Sequence, residues 1–334
     1  MNFLKLNIYK INLRKIIKLK ISIFILLLII FFSYLKYVFY FVKLNYIHIA
    51  MSLNNNYTYP IMVSITSIII NKKETTFIYF HLIIDNNVNK KNIYKISTLK
   101  KLNKNCKFIF HNVKNHFKGF IIKKLDMSVA TFYRSIIGEL IKDIDKIIYL
   151  DGDTLTYGDL TEMYNLDMTD LYFRGIREYR RNMKYTNVTR YICAGVMLMN
   201  LKLIRENKVF EKFKEHYFFY AKKGIYINDQ FIINGIFTEK IGFLPPKYGM
   251  FHINNNYLNV YKSKRPIIYN ISELVIAIKN PIIRHLWGKL PKKPWLFENY
   301  DILKYEWNYF AKKTGYYSSI CKFFKNACIN VFQK

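Results

Sequence analysis

The sequence predicts an α/β protein: a mixed, mainly parallel sheet flanked by helices, preceded by one long apolar helix. Three observations carry this expectation. Strand-like and helix-like runs alternate after residue 45, the pattern that builds a parallel sheet with helices on both faces. The short apolar run Lys146 to Leu150 reads as a buried strand and delivers Asp151-Gly152-Asp153 at its carboxyl end, where open α/β sheets bind ligands. Upstream of both, the residues from about Ile16 to Val42 form an apolar, charge-poor stretch.

That stretch is long enough for a bilayer, which needs roughly 20 apolar residues. Lys5, Lys10, Arg14, Lys15, Lys18 and Lys20 precede Ile21 to Phe32, and apolar residues continue to Val42 past a single Lys36. A cleaved signal peptide has a shorter apolar core and a small-residue cleavage site, and neither is visible. The basic flank places the N-terminus in the cytosol and the rest across the membrane. A type II signal anchor follows, with residues 1–15 as a cytosolic basic tail and 16–43 as the span. Sequons at Asn56, Asn187 and Asn270 lean towards a Golgi or ER lumen if the cell is eukaryotic.

A catalytic domain is expected over 44–298. Tyr46 to Leu53 reads as its first strand, and Tyr59 to Ile70 as a helix with Thr58 as N-cap and Pro60 in the first turn. Strand Thr76 to Asp85, helix Val88 to Asn103 and strand Cys106 to Val113 complete a βαβαβ succession. Val129, Phe132, Ile136, Leu140 and Ile144 recur at helical spacing after Ser128, predicting a capped amphipathic helix that runs into the Asp151 strand. Further strands are expected at Leu171 to Ile176 and Tyr191 to Met199. Leu201 to Lys223 reads as one long helix closed by Gly224, and Asn228 caps another through Ile236. Pro245-Pro246 marks a turn and Pro281 to Trp287 a late strand. The aromatic, basic residues 299–334 form a helical tail, either lying on the membrane or packed on the core.

Composition excludes less than it suggests. The chain of 334 residues carries 53 Lys+Arg against 22 Asp+Glu, a formal charge of +31. Such an excess points to nucleic acid or an anionic surface. Here the lysines are dispersed among Asn, Ile and Tyr, with no compact basic block after residue 50, so a diffusely basic surface and no nucleic-acid partner are expected. The four cysteines, Cys106, Cys193, Cys321 and Cys328, are too few and scattered for a disulfide framework or a zinc site.

Two carboxylates on one turn repel unless a cation sits between them, and oxygen ligands suit Mg²⁺ or Mn²⁺. Such an ion would hold a diphosphate. With Cys193 to Leu201 (CAGVMLMNL), Asn228-Asp229-Gln230 and His285 to Trp295 (HLWGKLPKKPW), the stretch Lys146 to Asp159 (KIIYLDGDTLTYGD) resembles glycosyltransferase family 8 over roughly Tyr46 to Trp295. Members are retaining, UDP-sugar-dependent transferases of the GT-A-type nucleotide-sugar-binding fold.

The resemblance implies roles residue by residue. Asp151, Asp153 and His285 match the metal ligands. Gly288 matches a backbone approach to phosphate and Lys293 a point charge on it, with Lys289 and Lys292 as nearby rivals. Gly152 lies between the two acids in the donor pocket. Tyr57 matches an aromatic that stacks on uracil, and Asn54 stands where an Asp is usual. Arg134 matches an arginine that reaches the donor, and Ala194 and Gly195 match the tight stretch beside the donor sugar, where Cys193 replaces an Asn. Asp229 and Gln230 match the pair facing the transferred sugar, Gln230 near the anomeric centre and Asp229 on a hydroxyl. Because Asn56 lies in the nucleotide loop, its sequon is expected to stay bare. The implied reaction moves glucose or galactose from UDP-glucose or UDP-galactose, with Mn²⁺ or Mg²⁺, to a glycan or glycolipid hydroxyl.

Two other classes fit part of this pattern. A haloacid-dehalogenase-like phosphatase also ends a strand in D-x-D, with Asp151 as nucleophile. It leaves His285 and Lys293 idle, and lacks a late acid pair for Mg²⁺. A membrane-anchored UDP-sugar binder without turnover is the other, suggested by the departures at Asn54 and Cys193.

Overall fold

The computed structural model describes residues 2–41, 44–123, 127–178, 190–251, 269–286, 293–295 and 302–332. The chain divides into two units, Met1–Asn45 and Tyr46–Lys334. The first is helix α1 (Asn2–Phe41). Within it Ile16–Leu35 is long and apolar enough to cross a membrane, with a mean hydropathy of 2.5 and none of it buried.

The second unit is built on a seven-stranded sheet. Its strands are β1 (Asn45–Ser52), β2 (Thr76–Ile84), β3 (Cys106–Asn112), β4 (Lys146–Leu150), β6 (Phe173–Arg177), β7 (Ile192–Asn200) and β8 (Ile241–Phe243), ordered β3-β2-β1-β4-β7-β6-β8. A smaller sheet, β5-β10-β9, joins β5 (Thr154–Thr156), β9 (Met250–Phe251) and β10 (Ile283–His285). The pairs β1/β4, β2/β3 and β6/β8 are parallel, while β7 runs antiparallel to both β4 and β6. Strand order reverses direction at β1/β4, and a crevice opens beyond the carboxyl ends of those strands.

Side chains alternate across β4: Ile148 and Leu150 join one apolar core, and Ile147 and Tyr149 the other. In β7 that alternation breaks. Gly175 pairs with Met197 but its neighbour Ile176 pairs with Cys193, so Ala194, Gly195 and Val196 form a bulge. Bulges bend a strand and re-aim its side chains, commonly beside active sites.

Helix α2 (Thr58–Asn71) is buried along almost its whole length, as a helix apolar on all sides should be. It lies against β5 and the C-terminal helices. Two of its buried hydroxyls are matched, Ser64 with Thr154 at 2.9 Å and Ser67 with the Thr156 amide at 2.9 Å. The remaining helices are α3 (Lys90–Ser97), α4 (Ile137–Leu140), α5 (Thr161–Tyr164), α6 (Leu201–Glu206), α7 (Val209–Ala221), α8 (Asp229–Ile236), α9 (Ile271–Lys279), α10 (Ile302–Lys313) and α11 (Tyr317–Phe332).

Several local expectations are corrected. Thr58 is the first residue of α2, and the cap belongs instead to Asn54, whose side chain accepts from the Tyr57 amide at the start of a 3₁₀ turn. The helix expected over Val88 to Asn103 is α3 followed by the 3₁₀ turn Thr98–Leu102. Val129–Ile136 is 3₁₀ rather than α, with no side-chain cap from Ser128. Residues at i and i+3 eclipse in that geometry, which stacks Arg134 on Thr131, its Nε donating to the Thr131 carbonyl at 3.0 Å. The long helix over Leu201 to Lys223 breaks into α6 and α7 at Lys208, which adopts φ 50° and ψ 45°. The two pieces serve different neighbours: α6 meets α4 and β4, and α7 meets the 3₁₀ segment and α8. Gly224 does close the segment at φ +73°.

The tail packs on the core. Trp307, Phe310 and Ala311 of α10 and Ile320 and Phe324 of α11 are buried in the same core as α2.

Candidate active site

Each acidic ligand candidate owes its place to a strand end. β4 stops at Leu150 because the Asp151 amide turns to the Gly195 carbonyl at 2.8 Å, inside the β7 bulge. β5 starts at Thr154, and its antiparallel register with β10 sets His285 opposite Thr154, next to Asp153. The Leu286 amide then donates to the Asp153 carbonyl at 2.8 Å and continues the ladder. Residues 134 positions apart in sequence thus share one rim, and ligand atoms of Asp151, Asp153 and His285 all lie within 4.8 Å of one another. His285 Nε2 is 3.3 Å from Asp153 Oδ1 and 3.7 Å from Asp151 Oδ2.

Gly195 leaves the room for this approach. A Cβ at that position would overlap His285 Cε1 and stand 2.5 Å from Asp151 Oδ2. Gly152 is equally constrained, since a Cβ there would lie 2.5 Å from Ile61 Cγ1 and 3.1 Å from Tyr57 Cδ1. Two carboxylates, one imidazole and a cradle that excludes side chains fit a divalent cation such as Mn²⁺ or Mg²⁺, with open positions for a diphosphate.

The electrostatics of the cluster are those of closely packed opposite charges. Burial disfavours the Asp153 carboxylate, yet Lys293 and His285 beside it hold it well below the usual carboxylate range. For His285, burial works against the imidazolium, and Asp153 more than offsets it, holding its pKa well above the ordinary value. Cys193 Sγ stands 3.6 Å from His285 Nδ1, on the far side of the ring.

Arg134 occupies the centre of the floor. It is 5% exposed, and its Nη2 lies 2.9 Å from Asp151 Oδ1 while its Nε lies 3.0 Å from Asp229 Oδ2. Its Nη1 donates to the carbonyl of Ala194 in the bulge, and its guanidinium sits over the Tyr149 ring at 4.5 Å. Asp229 is the first residue of α8, capped by Asn228 as expected, and Thr131 Oγ1 donates to it at 2.9 Å. Burial raises the Asp229 pKa, and the Arg134 charge and the Thr131 hydroxyl offset part of that rise.

Gln230 is held at both ends of its amide. Its Oε1 accepts from the Ala194 amide at 3.1 Å, and its Nε2 donates to Glu178 at 2.8 Å. Glu178 lies just past β6 in no sequence motif, and only the fold brings it to Gln230. Lys293 also differs from expectation. Its Nζ pairs with Asp153 and donates to the Leu286 carbonyl at 2.9 Å, so it neutralises an acid of the cluster. Asn54 spends its amide locally, accepting from the Tyr57 amide at 2.9 Å and donating to Ser128 at 2.8 Å. The Tyr57 ring meets Trp295 edge-on at 6.3 Å. Gly288, Lys289 and Lys292 lie outside the described residues.

These side chains line one cavity of about 340 Å³, bordered by Asn54, Tyr57, Arg134, Asp151, Gly195, Asp229, Gln230, His285 and Lys293. Among the described residues, the expected site residues other than Ala194 therefore line the crevice at β1/β4, while Ala194 is buried in the core beside it and meets Arg134 and Gln230 through its backbone.

Comparison with known proteins agrees with this geometry. The model of "Glycosyl transferase family 8" matches residues 48–299. A Haemophilus influenzae protein named as a glycosyltransferase is 31% identical over 260 residues, covering 74% of this chain and 72% of that protein. General stress protein A of Bacillus subtilis is 23% identical over 218 residues, covering 60% of this chain and 73% of its own. Among solved structures, the galactosyltransferase LgtC in complex with donor and acceptor sugar analogs superposes with a TM-score of 0.64 at 24% identity, covering 80% of this chain and 95% of that one. With the match spanning most of the chain and the GT-A-type fold in place, the protein belongs to glycosyl transferase family 8 and is a glycosyltransferase.

Proposed function

We propose that the protein transfers a hexose, glucose or galactose, from a UDP-sugar to a hydroxyl of a glycan or glycolipid, with retention at the anomeric carbon and dependence on Mn²⁺ or Mg²⁺. The observation that carries this reading is the convergence of Asp151, Asp153 and His285 within 4.8 Å at the sheet rim. In this reading Asp151, Asp153 and His285 hold the cation, which when bound supplies charge that stabilises the departing diphosphate.

The chain's own groups do the rest. The Tyr57 ring offers a face for uracil beside Gly152, whose missing side chain lets the ring lie close to the acidic turn. Arg134 bridges Asp151 and Asp229, so that the donor enters a preformed site. Asp229 accepts from the Thr131 hydroxyl and pairs with Arg134 Nε, and its remaining lone-pair capacity would serve a sugar hydroxyl. Gln230, clamped by Ala194 and Glu178, presents a fixed amide edge to the anomeric region. With Lys293 committed to Asp153, positive charge around the diphosphate falls to the cation.

Anchoring by Ile16–Leu35 as a type II span with a cytosolic N-terminus belongs to the same proposal, with the catalytic domain beginning near residue 44 and lumenal in a eukaryotic cell. It rests on the length and hydropathy of that helix and its basic flank. The phosphatase alternative is not favoured: Asp151 Oδ1 is occupied by Arg134 and the Tyr149 hydroxyl, a poor setting for a nucleophile.

The test is Mn²⁺-dependent binding of UDP to the full chain, followed by transfer from UDP-glucose and UDP-galactose. The double substitution Asp151→Ala/Asp153→Ala should remove both. Undiminished transfer in that variant would refute the reading.

A further inference from the structure

Asp153 and His285 keep their spacing through a three-residue antiparallel pairing, β5 with β10, which is too short to be rigid alone. The face of this small sheet opposite His285 is gripped by one acid. Arg284, one residue before His285, points the other way, and its Nη1 lies 3.0 Å from Glu306 of α10. Tyr157, one residue past β5, donates its hydroxyl to the same carboxylate at 2.5 Å. The Arg284 guanidinium also covers the Tyr157 ring at 5.4 Å. Glu306 therefore ties together the two strands that carry Asp153 and His285.

The adjacent residue grips the other wall of the cavity. Trp307 packs on Trp295 at 5.6 Å, Phe324 of α11 packs on Trp295 at 5.8 Å, and Trp295 meets Tyr57 edge-on. Trp307 is 3% exposed. The carboxylate and the indole sit side by side on α10, beyond the residues 48–299 that the family model matches.

We propose that Glu306 and Trp307 are positioning residues of the donor site: Glu306 sets the Asp153–His285 spacing through Arg284 and Tyr157, and Trp307 sets the Trp295–Tyr57 wall. This rests on the reading of Asp151, Asp153 and His285 as the cation ligands. The C-terminal helical pair is thus part of the binding machinery. Loss of outer partners that orient metal ligands costs about 10–100-fold in metal affinity. The Arg284–Glu306 pair is only about a quarter exposed, so removing the carboxylate also lowers global stability, and the unfolding midpoint is read beside binding.

The experiment measures the dissociation constant of UDP in the presence and absence of Mn²⁺, and the thermal unfolding midpoint, on the full chain in detergent. Glu306→Ala and Trp307→Ala should each weaken Mn²⁺-dependent UDP binding by about tenfold or more. Trp307→Phe, which keeps an aromatic on Trp295, should stay within about threefold of wild type. Should Glu306→Ala fail to fold, Glu306→Gln carries the test. A neutral amide cannot serve Arg284 and Tyr157 equally, so a loss of about threefold or more is expected. Wild-type binding in Glu306→Gln or in a folded Trp307→Ala overturns the inference. If the unsubstituted chain binds UDP without regard to Mn²⁺, or Asp151→Ala/Asp153→Ala binds as well as wild type, the cation-site reading itself fails.

Discussion

Gly195 and His285 meet face to face across the sheet rim, so closely that a methyl group on Gly195 would overlap the imidazole and lie 2.5 Å from Asp151 Oδ2. The glycine sits in the β7 bulge whose carbonyl also receives the Asp151 amide. One backbone position thus fixes two of the three candidate ligands. Gly195→Ala should push His285 off the rim and weaken Mn²⁺-dependent UDP binding by about tenfold or more, while the far-UV circular dichroism stays unchanged. Calorimetry with UDP and Mn²⁺ decides it.

Arg134 makes the second prediction. It is buried between Asp151 and Asp229, and Asp229 is only 2% exposed. Arg134→Met leaves a buried carboxylate without its counter-charge, a loss of about 3–5 kcal/mol. Arg134→Lys keeps the charge but cannot span both acids and the Ala194 carbonyl, so its unfolding midpoint should fall between the two. Chemical denaturation of the three proteins gives the order directly.

A third concerns pH. His48 Nδ1 lies 3.0 Å from His81 Nε2, and His81 Nδ1 lies 2.9 Å from His111 Nε2, a row of imidazoles across β1, β2 and β3. Burial, then the neighbouring His111 and His48, push the His81 pKa down to about 3 from an ordinary 6.5. The unfolded chain therefore takes up this proton first as pH falls. Stability from His81 is complete above about pH 6.5 and drains away between there and pH 3, costing about 2 kcal/mol at pH 5. Unfolding midpoints at pH 7 and pH 5 should differ accordingly, and His81→Gln should shrink the difference. Equal pH slopes in the two proteins would contradict the assignment.

Lys208 supplies a fourth, remote from the site. It holds a left-handed conformation at φ 50° between α6 and α7. Glycine adopts that conformation without the Cβ penalty, although it loosens the unfolded chain. Lys208→Gly should raise stability by about 0.5 kcal/mol and leave UDP binding unaltered, as denaturant titration and calorimetry would record.

How much of this was legible follows a physical rule. Residues that act through local chemistry could be read along the chain: Asn228 as a cap, Gly224 as a helix stop, and Asp151 and Asp153 behind an apolar strand. The 3₁₀ segment around Arg134 could not, because its side-chain spacing satisfies α and 3₁₀ periodicities alike, and the choice was made by packing of Thr131 and Arg134 against Asp229. Nor could the break at Lys208, since an unremarkable lysine carries no stop signal, and the bend serves two neighbours that sequence does not juxtapose.

By itself the sequence determined the strand–helix succession, the apolar N-terminal helix and the acidic pair behind an apolar strand, since hydrophobic period and side-chain chemistry are properties of the chain alone; the other groups at the rim, His285 among them, came from the family resemblance. Tertiary structure decided what those groups do to one another. It turned Lys293 to Asp153 instead of leaving it open to a phosphate, gave Gln230 its partner Glu178, and folded α10 and α11 onto the cavity wall. Contacts between residues 52 and 140 positions apart depend on register and bulge, and neither is written in local pattern.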